Sequence, residues 1–302
     1  MVACITGVIG LWLMPGSNRQ QAPPRPQAPA ALEDTQRADG NRVESPPAVV
    51  KKIERKKVAI LIDDIGYDPG ALRRLLAIEA PVAFAVLPRT PHARSSAEAI
   101  HRAGREVLLH LPMEPHGYPD RNPGSGALLA AMTAGQIRRV MEKDLTSVPH
   151  AEGVNNHMGS KFMEEREPLG VVFDVLHEWG FYFVDSVTTD SSAAEALAVE
   201  KALRFTTRDL FIDDTEDRTR ARTNLERLLT TRDRWDGLLL IGHPYPETVS
   251  ALEEMVPRFQ SQGIDIVALS VMVDRKQGLR QAQAPENPGP KGNGNKDRNR
   301  KP

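Results

Sequence analysis

Between residues 57 and 275 the apolar residues fall into two alternating rhythms. One consists of short runs: KVAILI at 57–62, PVAFAVL at 81–87, REVLLH at 105–110, EGVNN at 152–156, FYFVD at 181–185, LFI at 210–212, GLLLI at 237–241 and IDIVAL at 264–269. These have the length of strands, and the most continuous of them read as strands covered on both faces. The other rhythm is helical. Thr133 and Gln136 read as a capping box ahead of Ile137, Val140, Met141 and Leu145 at helical spacing. A helix around 167–179 stops at Gly180, and another starts near Pro246-Glu247 and stops at Gly263. Strand and helix alternating this regularly predict a parallel sheet. About eight repeats in roughly 220 residues predict a β/α barrel, complete or incomplete, with a doubly wound open sheet as the alternative.

Composition narrows the folded part of the 302-residue chain. Residues 16–56 are rich in proline, glutamine and alanine with few large apolar side chains, a linker composition expected to stay disordered. The stretch 276–302 reads as a tail of the same kind, which leaves 57–275 as one domain. Residues 2–15, VACITGVIGLWLMP, are apolar but shorter than the roughly 20 residues a spanning helix needs. Followed at once by the linker, residues 1–15 suit a signal peptide or membrane anchor. The expected location is therefore exported, periplasmic or anchored and facing the cell envelope. Cys4 is the only cysteine, so the folded part has no disulfide and no thiol chemistry. Lys plus Arg number 39 against 40 for Asp plus Glu, so no global field recruits nucleic acid or an anionic membrane. Membrane contact is expected only through the N-terminal segment.

The chemistry gathers where the apolar runs end. VAILIDDIG closes a buried strand on two adjacent carboxylates, Asp63 and Asp64, where unpaired charge is costly. A barrel assembles its active site from the C-terminal ends of its strands. Here those ends carry Asp63-Asp64, Pro88-Arg89, His110, Asn155-Asn156-His157, Asp185-Ser186, Asp213-Asp214, Gly242-His243 and Ser270. One Asp at a strand end is an ordinary helix cap; the recurrence at end after end points to a shared pocket. Two imidazoles and a carboxylate form a common catalytic zinc set with one open position. A second carboxylate can take the proton of a water, and a separate histidine can protonate a leaving group. Adjacent residues leaving a strand diverge, so Asp63-Asp64 offers both carboxylate roles. His110, His157 and His243 sit at strand ends; His92, His101, His150 and His177 lie in helical or loop text. His116, in the loop after His110, stays a candidate.

Five stretches in order, IDDIGYD, HLPMEP, NNHMGS, FVDSVTT and GHPYPET, make most of 57–275 resemble the divergent polysaccharide deacetylase family, a distant branch of the NodB-type carbohydrate esterases. The resemblance implies a distorted barrel of seven or eight mainly parallel strands that binds a divalent metal, zinc first, and removes acetyl groups from N-acetylated sugars. It implies Asp63 as base, Asp64 as metal ligand, His110 as the first histidine ligand and His243 as the catalytic histidine. The second histidine of the usual pair is Glu114 here. His157 is its natural replacement, although Glu114 could itself bind a metal. The usual Arg-Pro stretch of the fourth strand is not recognisable. Glu114, Asn156, Asp185, Ser186, Asp213, Tyr245 and Glu247 are candidates to touch substrate or support the ligands, and Tyr67, Tyr118 and Tyr245 could stack on sugar rings. The expected partner is a polysaccharide or peptidoglycan-like substrate. The expected function is a metal-dependent hydrolase removing N- or O-acetyl groups from a cell-envelope glycan. The alternatives are a glycan-binding or envelope-assembly protein that keeps the pocket without turnover, and a phosphoesterase or other hydrolase with the same ligands.

Overall fold

The VAILI run lies within β1 (Lys56–Ile65), the strand on which the sheet is centred. In the computed structural model, which describes residues 55–213 and 220–283, β1 pairs along one edge with β8 (Gly237–Gly242). Its other edge is shared. The C-terminal half pairs with β2 (Ala83–Val86) and the first three residues with the short β9 (Ile264–Ile266). From β2 the sheet continues through β3 (Val107–Met113), β4 (Ala151–Met158), β5 (Tyr182–Asp185) and β6 (Phe205–Thr207), and beyond β8 it ends at β7 (Leu210–Phe211). Every pairing is parallel, and no ladder joins β6 to β7. The result is a half-barrel of eight strands in one path with the ninth beside β1, which bears out the distorted, incomplete barrel of the NodB type.

Helices on the outside follow the sequence signals. Asp68 caps α1 (Pro69–Leu76) by accepting from the amides of Gly70 at 2.7 Å and Ala71 at 3.1 Å. The Thr133 box opens α3 (Ala134–Ser147), with Gln136 accepting from the Thr133 amide at 2.8 Å. A left-handed Gly180 (φ 72°) closes α4 (Arg166–Trp179), a conformation only glycine adopts without strain. Around them stand α2 (Ala93–Arg102), α5 (Ala194–Glu200), α6 (Arg220–Thr230) and α7 (Pro246–Ser261). None of the described helices is long and apolar enough to cross a membrane.

Strand alternation sends Val58, Ile60 and Ile62 outward to this helical layer and Ala59 and Leu61 inward. The inward set continues with Ala83, Ala85, Leu108, Tyr182, Val184, Leu239 and Ile241, and the space between them is filled by Leu269, Met272 and Val273 of α8 (Leu269–Gln283). Alanines at 59, 83 and 85 leave room for a helix inside. Burying each of these α8 side chains is worth about 1.5–3 kcal/mol. The same helix spans the open seam. Lys276 Nζ donates to the Thr207 carbonyl of β6 at 3.3 Å and pairs with Asp209, whose carboxylate accepts from the β8 amide of Leu239 at 2.6 Å. Arg280 donates to the Phe205 carbonyl at 3.1 Å.

Three expectations change. The tail boundary at 276 falls inside α8, because its polar text belongs to a helix whose apolar face is spent on the barrel interior. The 264–269 run is a three-residue strand followed by the start of that helix. The domain also begins slightly earlier than 57: Lys56 pairs with Ile264, and Arg55 Nε meets Asp265 at 2.7 Å. The N-terminal apolar run, the linker before 55, Asp214 and residues 284–302 lie outside the described residues. If α8 is core, Met272→Ala should lower unfolding free energy by about 2–5 kcal/mol in urea titration. Leu279→Ala, at 48% exposure on the same helix, should stay within about 0.5 kcal/mol.

Candidate metal centre and catalytic site

The inward parity that builds the core continues to the strand ends and changes from apolar to polar there. Ala59 and Leu61 are followed by Asp63, Leu108 by His110, Val184 by Ser186, and Leu239 and Ile241 by His243. On β4 the inward positions are Gly153, whose added Cβ would meet the Tyr182 ring at 2.7 Å, then Asn155 and His157. Asp64 is of the opposite parity. Its backbone turns left-handed (φ 55°), a conformation that costs a non-glycine residue on the order of 1 kcal/mol, and its carboxylate meets the two imidazoles.

His110 Nε2, His157 Nδ1 and Asp64 Oδ1 form a triangle with 3.1 Å on each side. Asn155 decides what those atoms offer. Its Nδ2 donates to Asp63 Oδ1 at 2.8 Å, so its Oδ1 is left to accept from His110 Nδ1 at 2.9 Å. The neutral ring then carries its proton on Nδ1 and turns a lone pair on Nε2 toward the triangle. Asp64 Oδ1 is buried without a hydrogen-bond donor of its own. With His157 Nδ1 also in its lone-pair form, the three atoms facing one another fit a divalent cation. Tetrahedral bonds of 2.0–2.2 Å would set ligand atoms about 3.3–3.6 Å apart, slightly wider than the triangle.

Electrostatics follow from the crowding. Burial pushes the Asp63 carboxyl above its ordinary 3.8, against the pull of His110 and His243. Burial also disfavours ionised Asp64, but His110 and His157 outweigh it and hold that carboxyl well below the usual range. Burial opposes a charge on His110, while Asp63 and Asp64 favour it, and its pKa rises. Across the pocket His243 Nδ1 lies 2.8 Å from Asp213 Oδ1. Asp213 Oδ2 accepts from the His243 amide at 2.8 Å and from Thr248 Oγ1 at 2.7 Å. Burial of the ring works against its charge, but Asp213 prevails and the His243 pKa is pushed up to about 9. The ring lies between Phe211, centroids 5.9 Å apart, and Tyr245 at 5.4 Å.

The other candidates are placed differently. Glu114 accepts from Lys161 at 2.6 Å and from the Ala130 amide at 2.7 Å, outside the triangle. Burial would raise its carboxyl, and those two donors bring it below the ordinary value. Asn156 and Asp185 have outward parity and brace loops: Asn156 Oδ1 accepts from the Ser186 amide at 2.8 Å, and Asp185 from the Val187 amide and Ser192 Oγ, both at 2.7 Å. Ser186 Oγ lies 3.3 Å from Asn155 Nδ2, beside the centre. Glu247 is exposed in the first turn of α7. His116 is exposed and paired with Glu164 at 2.9 Å. Ser270 does not join the pocket; its amide and hydroxyl bind Glu106, just before β3, at the opposite end of the barrel. Asn155 carries no motif signal that separates it from Asn156, although its inward parity with His157 marks it. A cleft of about 300 Å³ opens from Asp64 and His157 past Tyr67, Arg89 and Thr90 to the loop 122–125.

A family model described as divergent polysaccharide deacetylase matches residues 60–273. The uncharacterized protein YibQ of Escherichia coli K12 is 36% identical over 200 residues, which are 66% of this chain and 62% of that protein, so the match spans less than two thirds of the relative's length. An uncharacterized protein of Haemophilus influenzae is 29% identical over 199 residues, 66% of this chain and 70% of its own. The crystal structure of an uncharacterized Agrobacterium tumefaciens C58 protein shares the fold, with a TM-score of 0.68 and 22% identity over 73% of this chain and 90% of that one.

The His243–Asp213 pair sets a pH signature in the metal-free protein. A histidine raised from 6.5 to about 9 by folding contributes stability that is complete below pH 6.5 and disappears as pH climbs through 9. Asp213→Asn should move the His243 midpoint, followed by NMR, back toward its ordinary value and flatten the fall in stability between those pH values.

Proposed function

The chain belongs to the divergent polysaccharide deacetylase family, and on that premise we propose that it is a metal-dependent hydrolase that removes acetyl groups from a cell-envelope glycan. The observation that carries the proposal is the Asp64–His110–His157 triangle, 3.1 Å on a side, with a separate acid–base pair at its edge. Those three side chains would hold the metal, zinc being the natural choice for two imidazoles and a carboxylate. A bound divalent metal supplies Lewis acidity, polarising the acyl carbonyl and easing deprotonation of a water.

The chain's own residues do the rest. Asp63, buried and oriented by Asn155, accepts the proton of the water as its oxygen attacks the acyl carbon. His243 holds its Nδ1 proton against Asp213 and is charged at neutral pH, so its Nε2 proton is available to the sugar nitrogen as the C–N bond breaks. Acetate and a free amine leave. Asn155 ties the base to the metal site, since one amide orients Asp63 and fixes the tautomer of His110. Tyr67, 64% exposed at the cleft, suits a sugar face, and the apolar run at 2–15 supports export to the envelope where such a glycan lies.

Asp64→Asn should therefore lose metal by elemental analysis. Asp63→Asn and His243→Ala should keep it while acetate release from N-acetylglucosamine oligomers falls by about 10²–10⁴-fold. If Asp63→Asn instead lowers metal affinity by about 10–100-fold, Asp63 only orients a ligand. A wild type that holds metal and pulls down on insoluble peptidoglycan yet releases no acetate would replace the hydrolase with a glycan-binding protein.

A further inference from the structure

Behind the cleft wall the fold keeps a carboxylate where water does not reach. Asp144 of α3 is fully buried, one of its oxygens has no hydrogen-bond donor, and the chain at Gly126 passes so close that an added Cβ would meet it at 2.5 Å. A buried ion pair of this kind is a poor source of stability and is costly if broken. Its other oxygen accepts from Arg89 Nε at 2.6 Å, and the Arg89 side chain reaches from there into the cleft, 36% exposed. Arg89 is fixed twice more: its amide donates to Ser147 Oγ at 3.0 Å, and its backbone is left-handed with φ 57°. Burial raises the Asp144 carboxyl to about 7 against the pull of Arg89. Asp144 occupies the Nε–H of the guanidinium, and the Arg89 side chain lines the same cleft as Asp64 and His157 with four further N–H donors.

The cleft does not end there. At Thr90 it adjoins a second depression of about 530 Å³ lined by Arg94, Lys143 and Ser147. Arg94 is held by the Thr146 carbonyl at 2.5 Å and only loosely by Glu98 at 4.0 Å, and Lys143 is exposed. Glu98 is the one acidic residue lining either hollow besides Asp64. A line of cationic side chains, Arg89, Arg94 and Lys143, thus leads away from the triangle.

The geometry points to an acidic glycan as the substrate of this site, with a carboxylate of the sugar chain seated on Arg89 and the chain continuing over Thr90 toward Arg94 and Lys143. This rests on the deacetylase proposal above and adds the class of sugar. A planar guanidinium preset by Asp144 matches a carboxylate, and a neutral sugar would leave those donors to water.

The test uses the zinc-loaded full chain and two probes: an N-acetylated tetrasaccharide with a carboxylate on alternate sugars, and the same compound after reduction of its carboxylates to alcohols. Wild type should favour the acidic probe by about 10–100-fold in kcat/KM, the weight of a charge-assisted hydrogen bond, chiefly through KM. Arg89→Gln with Asp144→Asn, which removes both charges and leaves none stranded, should erase that preference. Lys143→Ala, at an exposed position that does not threaten the fold, should reduce it. Equal use of both probes by wild type, or a preference that survives the double variant, would overturn the assignment. If neither probe releases acetate, equilibrium dialysis of the same pair decides. Tighter binding of the acidic probe that depends on Arg89 keeps the acidic-glycan site while the hydrolase fails; equal binding ends both.

Discussion

Two neighbouring carboxylates at the end of a strand sealed from water are tolerable only if something answers each of them, and the upper half of the barrel is arranged around that demand. Asp63 is answered by the Asn155 amide and Asp64 by two imidazoles. Each answer constrains a further group. The amide that donates to Asp63 must accept from His110, which fixes a tautomer, and the ring so fixed meets His157. Burial makes every one of these contacts matter, because an unpaired partner in this setting costs about 1–3 kcal/mol and more if charged. The same crowding that would be a defect in an ordinary core gathers the three atoms proposed to hold a cation, with the proposed base beside them.

The lower half solves a different problem. An eight-stranded path that fails to close leaves its interior open between β6 and β7. Leu269, Met272 and Val273 fill that interior against alanines and large apolar residues of the strands, and Lys276 and Arg280 bind the edge carbonyls that no neighbouring strand satisfies. Apolar filling below gives the polar side chains above a rigid floor. The change from Leu61 to Asp63, or from Ile241 to His243, is the boundary between the two.

Much of this could be read in the chain because strand alternation is arithmetic. Apolar runs ending in Asp, His and Asn identify both the strands and the polar end of the barrel, and the five stretches carry the family. What resisted reading has physical causes. The FTT of β6 is too short and too polar to stand out from loop text, and it becomes a strand only by pairing with Phe183 to Asp185. The helix α8 looks like the beginning of a tail because its polar face continues into polar sequence, and its apolar face has meaning only once the barrel interior exists. Asp64 breaks the alternation through its backbone, which no periodicity reports. Glu114 occupies a histidine's place in the motif, yet Lys161, 47 positions along, draws it elsewhere. Asn155 hid beside Asn156: two identical neighbours, one turned inward to the centre and the other outward to hold a loop.

The position of α8 at the end of the described chain also orders events in time. A ribosome adds residues at about 5–20 per second, and segments can begin to fold as they emerge. All the strands and every proposed ligand precede Leu269, but the interior they surround is not filled until α8 has been made. Until then the growing chain has strands with an uncovered inner face and histidines without a floor. The last described helix therefore acts as a completion step, and a chain that stops before Leu269 lacks the side chains that fill the barrel interior.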